Sequence, residues 1–266
     1  MIFEYAEGGD LSSRMNKNYK DFNWLKKLST LIYISKGLKK IHKKNMVHRD
    51  FHTGNILFKD IFTYSDISYI SDMGLCGKVD NVNETNIYGV IPYVAPEVLK
   101  GKPYTQAADI YSFGMIMYFI ATGKQPFSNR AHDHLLALDI CNGKRPEINE
   151  PEAPRCYIDL MKECWNTDAV NRPSAIEVDK LINSFYVSYY IKNSGEFQKQ
   201  FEEAEEFRET NSSFISDDSQ SNIHPEAIYT SRLLNPFTKD LNSHKSETLE
   251  YIYQVLIISK FFILYL

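Results

Sequence analysis

An α+β domain, mostly helical with short β-hairpins, is what this sequence predicts, on three observations. Residues 24–44 carry apolar side chains at helical spacing: Leu28, Leu31, Ile32, Ser35, Leu38 and Ile41 form one stripe, with lysines opposite. Two short runs, Ile56-Leu57-Phe58 and Ile67-Ser68-Tyr69-Ile70, flank a polar stretch that reads as a hairpin loop. Residues 109–122 are apolar all round, the pattern of a helix with no solvent face. With 266 residues, 43% of them hydrophobic, the chain can build one substantial core but not two full domains and a long tail.

Taken in order, Met1-Ile2-Phe3-Glu4-Tyr5 reads as the end of a strand. Gly8-Gly9-Asp10-Leu11 is a turn that opens a helix, with Asp10 placed as its cap. A domain seldom begins inside a strand, so this is either a short edge strand or a chain missing its beginning. Asn45 is a stop for the helix over 24–44, and Gly37 weakens it slightly. Residues 71–94 are polar and irregular, and a segment of that length in a compact domain is functional or disordered. Past Pro96, helices are expected over 109–122, 132–141, 157–165 and 175–187. The composition shifts near Tyr189, which places a domain at 1–187 and a tail at 188–266. In the tail, residues 196–208 read as a charged helix and the Ser/Asp/Asn run 211–222 as disordered.

Residues 251–266 are mostly apolar but shorter than the ~20 residues of a spanning helix, and Lys260 lies within them. A membrane span is therefore not expected. A helix packing on the domain, an interfacial segment and translated non-coding sequence all fit that composition. The net charge of −4 is spread without basic clusters, so no nucleic-acid partner is expected. Cys76, Cys141, Cys156 and Cys164 are spaced neither as a zinc knuckle nor as a disulfide framework, and no signal peptide follows Met1. Reduced thiols in a cytoplasmic or nuclear compartment follow as the expectation.

One constellation carries chemistry. His48-Arg49-Asp50 is followed by Phe51-His52-Thr53-Gly54-Asn55, which sets a carboxylate and an amide on one loop. Asp50 suits the orientation of an attacking hydroxyl, and Asn55 suits a divalent metal. Ser71-Asp72-Met73-Gly74 follows the hairpin at the distance a second metal ligand requires, with Asp72 for Mg²⁺ and Gly74 for the turn. Then come Val94-Ala95-Pro96-Glu97, Asp109 at the head of the buried helix, and Asn171-Arg172-Pro173-Ser174. Glu97 and Arg172 are of the types that form a bidentate pair. A buried Asp109 needs donors, and the backbone of the His48-Arg49 turn is the natural supply.

In this order these motifs resemble the catalytic loop, metal-binding triplet, end of the activation segment and helix-F aspartate of eukaryotic protein kinases. Cys164-Trp165, Asp168 and the Asn171-Arg172-Pro173-Ser174 run are similar to the tyrosine-kinase-like group of Ser/Thr kinases. The resemblance covers residues 1–187 and implies a protein-kinase-like fold: hinge and mostly helical C-lobe, with most of the N-lobe absent. It implies ATP and Mg²⁺ as cofactors, transfer of the γ-phosphate to Ser/Thr of a protein substrate, and a role in signal transduction. By position, Phe3 resembles the gatekeeper, Glu4 (carbonyl) and Ala6 (amide) the hinge contacts to adenine, and Asp10 the ribose contact. Leu57 would lie under the adenine ring, supported by Leu11, Ile116 and Ile120. Arg49 implies control by an activation-loop phosphate, with Thr85 and Tyr88 as acceptors, or a constant carboxylate from Glu84 or Asp80.

Three departures qualify the resemblance. The glycine-rich loop, strand lysine and αC glutamate that precede the hinge in the family are not in this sequence, so weak nucleotide binding and poor transfer are expected of this chain. His52 stands where a lysine is usual and Val90 where a threonine is usual, which leaves hydroxyl preference open. Met73 replaces the usual phenylalanine and is expected to fill the same apolar slot at little cost. Two alternatives are carried: a catalytically weak fragment or pseudokinase acting as a binding scaffold, and a small-molecule phosphotransferase of kinase-like fold.

Overall fold

The computed structural model describes residues 6–59, 67–78, 86–192, 195–221 and 223–238. Helix α1 (Leu11–Asn18) begins where Asp10 accepts the Ser13 N–H at 2.9 Å. Helix α2 (Trp24–Lys43) is capped twice. Asn23 Oδ1 accepts the Lys26 N–H at 3.0 Å, and Glu205 Oε2 accepts the Trp24 N–H at 2.8 Å. Two of the four orphan donors at the helix start are thereby satisfied. Asn23→Ala is expected to cost about 1 kcal/mol; a chemical-denaturation midpoint compared with that of the parent reads it directly. The chain leaves α2 through Asn45 in a left-handed conformation, φ 55°.

Short ladders follow. β1 (Met46–Val47) pairs antiparallel with β4 (Gly77–Lys78). Between them, β2 (Ile56–Phe58) and β3 (Ser68–Ile70) pair antiparallel with Ile56 opposite Ile70, as the two short runs predict. β5 (Tyr88–Gly89) comes next, then α3 (Pro96–Leu99). Helix α4 (Gln106–Thr122) is buried at every position from Ala108 to Thr122, so it serves as the axis of the helical core. Helices α5 (His134–Cys141), α6 (Arg155–Cys164) and α7 (Ala175–Ile191) contribute to the same core. α2 packs chiefly on α7, and α4 on α6.

The far end of the chain differs from the sequence reading. Helix α8 is Glu196–Ser221, continuing beyond residue 208 into the Ser/Asp/Asn run expected to be disordered. Once the first turns of a helix are fixed by packing, extending it avoids the cost of nucleation, and weak helix formers can follow. The packing that fixes α8 is visible. Phe201 and Ala204 are buried in the same core as Trp24, Phe185 and Leu160, and the Phe201 ring stands 5.4 Å from that of Trp24. Strand β6 (Arg232–Leu233) then pairs antiparallel with β5, and α9 (Asn235–Thr238) ends the described chain. Leu234 is fully buried in that core as well. The composition change near Tyr189 therefore marks no break in packing, and α7 runs through it. The apolar residues 251–266 lie outside the described residues, among which no helix is long and apolar enough to cross a membrane.

Candidate active site

The loop 48–55 is held from below by one buried carboxylate. Asp109, in the first turn of α4, accepts the His48 N–H at Oδ2 (2.8 Å) and the Arg49 N–H at Oδ1 (3.2 Å). His42 Nε2 from α2 stands 2.9 Å from Oδ2. Three donors meet the demand of a carboxylate that is 1% exposed. They also secure Arg49, a non-glycine residue at φ 72°. The Arg49 guanidinium lies against Gly77, where a Cβ would come within 2.7 Å of it, and donates to the Lys78 carbonyl at 3.5 Å.

From above, the loop is tied to the hairpin through Ser71. His48 Nε2 bonds the Ser71 carbonyl at 2.9 Å, so that nitrogen carries the proton. Ser71 in turn donates its N–H (2.8 Å) and its hydroxyl (3.1 Å) to the Asn55 carbonyl. Asn55 Nδ2 donates to the Asp50 carbonyl at 2.8 Å and reaches its Oδ2 at 3.3 Å. His52 Nδ1 accepts the Gly54 N–H at 3.1 Å, which places the proton of a neutral ring on Nε2, 3.5 Å from Asp50 Oδ1. Burial pushes the Asp50 carboxyl up. His52, whose Nε2 lies 3.5 Å from Oδ1, outweighs that together with the Ser231 hydroxyl and His48, and leaves the carboxyl below the ordinary carboxylate range.

Asp72 follows Ser71 directly. It is exposed, sits at φ 55°, and among the described residues accepts only a long bond from the Gly74 N–H at 3.4 Å. The turn thus places the left-handed residue at Asp72 and not at Gly74. Asn55 commits its amide nitrogen to Asp50, which leaves Oδ1 as its remaining ligand atom. One exposed carboxylate and one amide oxygen form a partial set that fits Mg²⁺, which takes one or two protein oxygens and completes its shell with phosphates and water. Met73 is 44% exposed, so it does not fill the expected apolar slot; the short 3₁₀ turn Met73–Leu75 carries it to solvent.

Phe3, Glu4, Asp80, Glu84 and Thr85 lie outside the described residues. Ala6 is half-buried at the start of the described chain. Asp10 uses one carboxylate oxygen on the Ser13 N–H and the other on its hydroxyl, at 2.9 and 2.6 Å. It also bridges to Leu57 on β2, and Gly8 and Gly9 bond the backbone of Phe58 on the same strand. Leu11, Ile116 and Ile120 are fully buried, which makes them core first. Tyr88 is 38% exposed on β5, and its carbonyl accepts the Tyr104 hydroxyl at 2.6 Å.

Glu97 and Arg172 meet as a fork. Nη1–Oε1 is 2.7 Å and Nη2–Oε2 is 2.8 Å. Arg172 also donates to the Asn166 and Ala107 carbonyls and lies over the Tyr111 ring. Gly89 closes the site: a Cβ there would lie 2.8 Å from Val94 and 3.7 Å from Asp50 Oδ1, and its φ of 141° suits glycine alone. Three participants were given no role in the sequence reading. His42 sits among lysines on what reads as a polar face, Ser71 precedes a more conspicuous aspartate, and Ser231 lies in the tail.

The family of protein tyrosine and serine/threonine kinases matches residues 1–182. Among curated proteins, the chain is 30% identical over 201 residues to a probable serine/threonine-protein kinase, pats1, of Dictyostelium discoideum. It is 33% identical over 181 residues to a putative serine/threonine-protein kinase/receptor of Acanthamoeba polyphaga mimivirus. It is 26% identical over 184 residues to the serine/threonine-protein kinase STY17 of Arabidopsis thaliana. These alignments take in 73%, 67% and 69% of this chain but only 6%, 11% and 31% of those relatives. The chain thus spans a minor part of the length of the curated relatives it matches. With two thirds of its residues matched, the chain belongs to the protein tyrosine and serine/threonine kinase family.

Proposed function

We propose that this protein kinase uses ATP and Mg²⁺ and acts on serine or threonine of protein substrates. The observation that supports this most is the ionised, buried Asp50 held between Asn55 and His52 on a loop that Asp109 anchors. When bound, Mg·ATP supplies the phosphoryl group and the cation that offsets its charge. The protein's part is positioning: Asp50 orients the acceptor hydroxyl, and Asn55 with Asp72 holds the cation. Ala6 and Leu57, with Phe3 and Glu4, are the proposed nucleotide contacts, and Asp10 the ribose contact. His52, fixed by Gly54, takes the place of a lysine charge with a single donor. The serine or threonine preference is supported by the printed descriptions of the relatives. A protein substrate is favoured over a small molecule by the Glu97–Arg172 fork, which braces the segment on which a polypeptide would dock. Four free thiols accord with a cytoplasmic setting.

The test is a thermal-shift titration with ATP, with and without Mg²⁺, on the parent chain, Asp72→Asn and Asp50→Asn. Asparagine tolerates the left-handed conformation at 72, so that variant removes charge and little else. A Mg²⁺-dependent rise is expected in the parent and in Asp50→Asn, and not in Asp72→Asn. Asp50→Asn is expected to transfer phosphate at least ~100-fold more slowly. No shift in the parent overturns nucleotide binding by this chain.

A further inference from the structure

Residues 223–238 meet the body of the fold along two lines. Along the first they follow the loop 126–132. His224 N donates to the Ser128 carbonyl (2.8 Å), His132 N to the Glu226 carbonyl (3.0 Å), and the Tyr229 hydroxyl to the Pro126 carbonyl (3.0 Å). Buried His132 lies between the two segments: Nδ1 is 3.1 Å from the Ile228 N, Nε2 is 3.3 Å from the Phe127 carbonyl, and the Tyr229 ring stands edge-on at 4.7 Å. Along the second line, β6 pairs with β5, Tyr88 opposite Leu233 and Gly89 opposite Arg232. Leu234 N donates to the Ile87 carbonyl and Ile87 N to Asn235 Oδ1, both at 2.7 Å. Arg232 Nη2 joins the two lines by donating to the His132 carbonyl at 2.5 Å.

This pairing has a direction and a register, and both point at Asp50. Gly89 lies beside the Asp50 carboxylate. The ladder ends at Gly89 and Arg232; continued by one step, its antiparallel register would set Ser231 across from Val90, which brings no hydroxyl of its own. Ser231 is exposed while Asp50 is buried, so the segment runs along a side of the site that solvent reaches. The Ser231 hydroxyl contributes to holding the Asp50 carboxyl below its ordinary range. An extended segment adding one strand to an exposed edge, with a side chain delivered to a site, is a recurring mode of peptide recognition.

We infer that residues 223–238 are a tethered occupant of the protein-substrate groove, with Ser231 as a phospho-acceptor of its own chain. This rests on the phosphotransferase reading above. In the step, Ser231 Oγ bonds to the γ-phosphorus of ATP and the bond from that phosphorus to the β,γ-bridging oxygen breaks. ADP leaves with the electron pair, and the hydroxyl proton passes by way of Asp50 to water. The products are a serine phosphomonoester and ADP. A tether holds the segment at an effective concentration of the order of millimolar, so free substrates compete at a disadvantage while it is docked. A dianion on Ser231 facing ionised Asp50 would repel it, and transfer would release the segment.

Two readouts on the full chain test this. The first needs no nucleotide: amide hydrogen exchange at Ile87, His132, Ile228 and Leu234. These amides are expected to exchange at least tenfold more slowly in the parent than in Leu234→Asp combined with Asn235→Ala. Unprotected exchange in the parent overturns the docking. The second is mass spectrometry after incubation with ATP and Mg²⁺. Phosphate is expected on Ser231, at a rate per molecule independent of protein concentration, and absent from Ser231→Ala, whose exchange protection persists. A rate proportional to protein concentration overturns the tethered step. Transfer to an added serine peptide with none to Ser231 overturns the acceptor assignment and leaves the kinase reading standing. Transfer to no acceptor overturns both, while exchange decides the docking by itself.

Discussion

Arg172→Ala lowers the unfolding free energy by about 3–5 kcal/mol, because it leaves Glu97 as an uncompensated carboxylate in the interior. The Arg172 side chain is fully buried and that of Glu97 is 13% exposed, so water cannot replace the lost fork. The Asn166 and Ala107 carbonyls lose their donor in the same stroke, and the Tyr111 ring loses the cation above it. Folded domains of this size have only about 5–15 kcal/mol of net stability, so a loss of that order moves a denaturation midpoint far. Arg172→Lys is expected to recover little, since an ammonium cannot address two carboxylate oxygens and two carbonyls from one plane. A denaturant titration of both variants checks this. A loss below about 1 kcal/mol in Arg172→Ala would show that the fork is not what holds α3 to the helical core.

The second large effect concerns Lys27, which the apolar stripe of α2 leaves on the lysine face but which is 1% exposed. Its Nζ donates to the Ala121 carbonyl at 2.7 Å and lies over the rings of Trp24 and Tyr19. Burial, with Arg208 nearby, pushes Lys27 down to about 7, against the pull of Glu205 and Glu152. The unfolded chain keeps this lysine protonated to about 10.4. Between those values the unfolded state binds more protons, so stability rises with pH. From pH 7 to 8.5 the gain from this group is about 1.5 kcal/mol. Cys141, Cys156 and Cys164 work in the opposite sense as pH nears 9, because burial raises their thiols in the fold. Lys27→Met isolates the lysine, since it leaves the thiols unchanged. The variant is expected to be more stable than the parent at pH 7 by about 1–3 kcal/mol, after allowing for the donor lost to Ala121. That advantage should shrink by about 1.5 kcal/mol at pH 8.5. Parallel stability curves for parent and variant over that range would show that Lys27 is charged throughout.

What the sequence made legible follows from the length scale of each signal. α2 and α4 are long enough for periodicity to declare one as amphipathic and the other as buried all round, and the β2–β3 hairpin is bracketed by turn residues. The acidic and amide residues of the loop were legible because their spacing is set by chemistry within one short segment. Other features are properties of a tertiary neighbourhood. Lys27 reads as surface because Ala121, whose carbonyl receives its ammonium, is far along the chain. β6 has two residues, too few for any period, and its partner precedes it by more than a hundred. Met73 went wrong for a different reason: the backbone turn at Asp72, not side-chain hydrophobicity, decides where it points.

The cap that Glu205 places on α2 has a consequence for how the chain is made. The donor at Trp24 and the acceptor at Glu205 are 181 residues apart. At translation speeds of about 5–20 residues per second, roughly 10–40 seconds separate their synthesis. During that interval the first turn of α2 has only Asn23 to close it, and the face of Trp24 that Phe201 of α8 will cover stays open. A helix made early is therefore among the last to be completed. A ribosome-bound nascent chain halted before residue 196 should expose this surface to chaperones, and release of α8 should withdraw it.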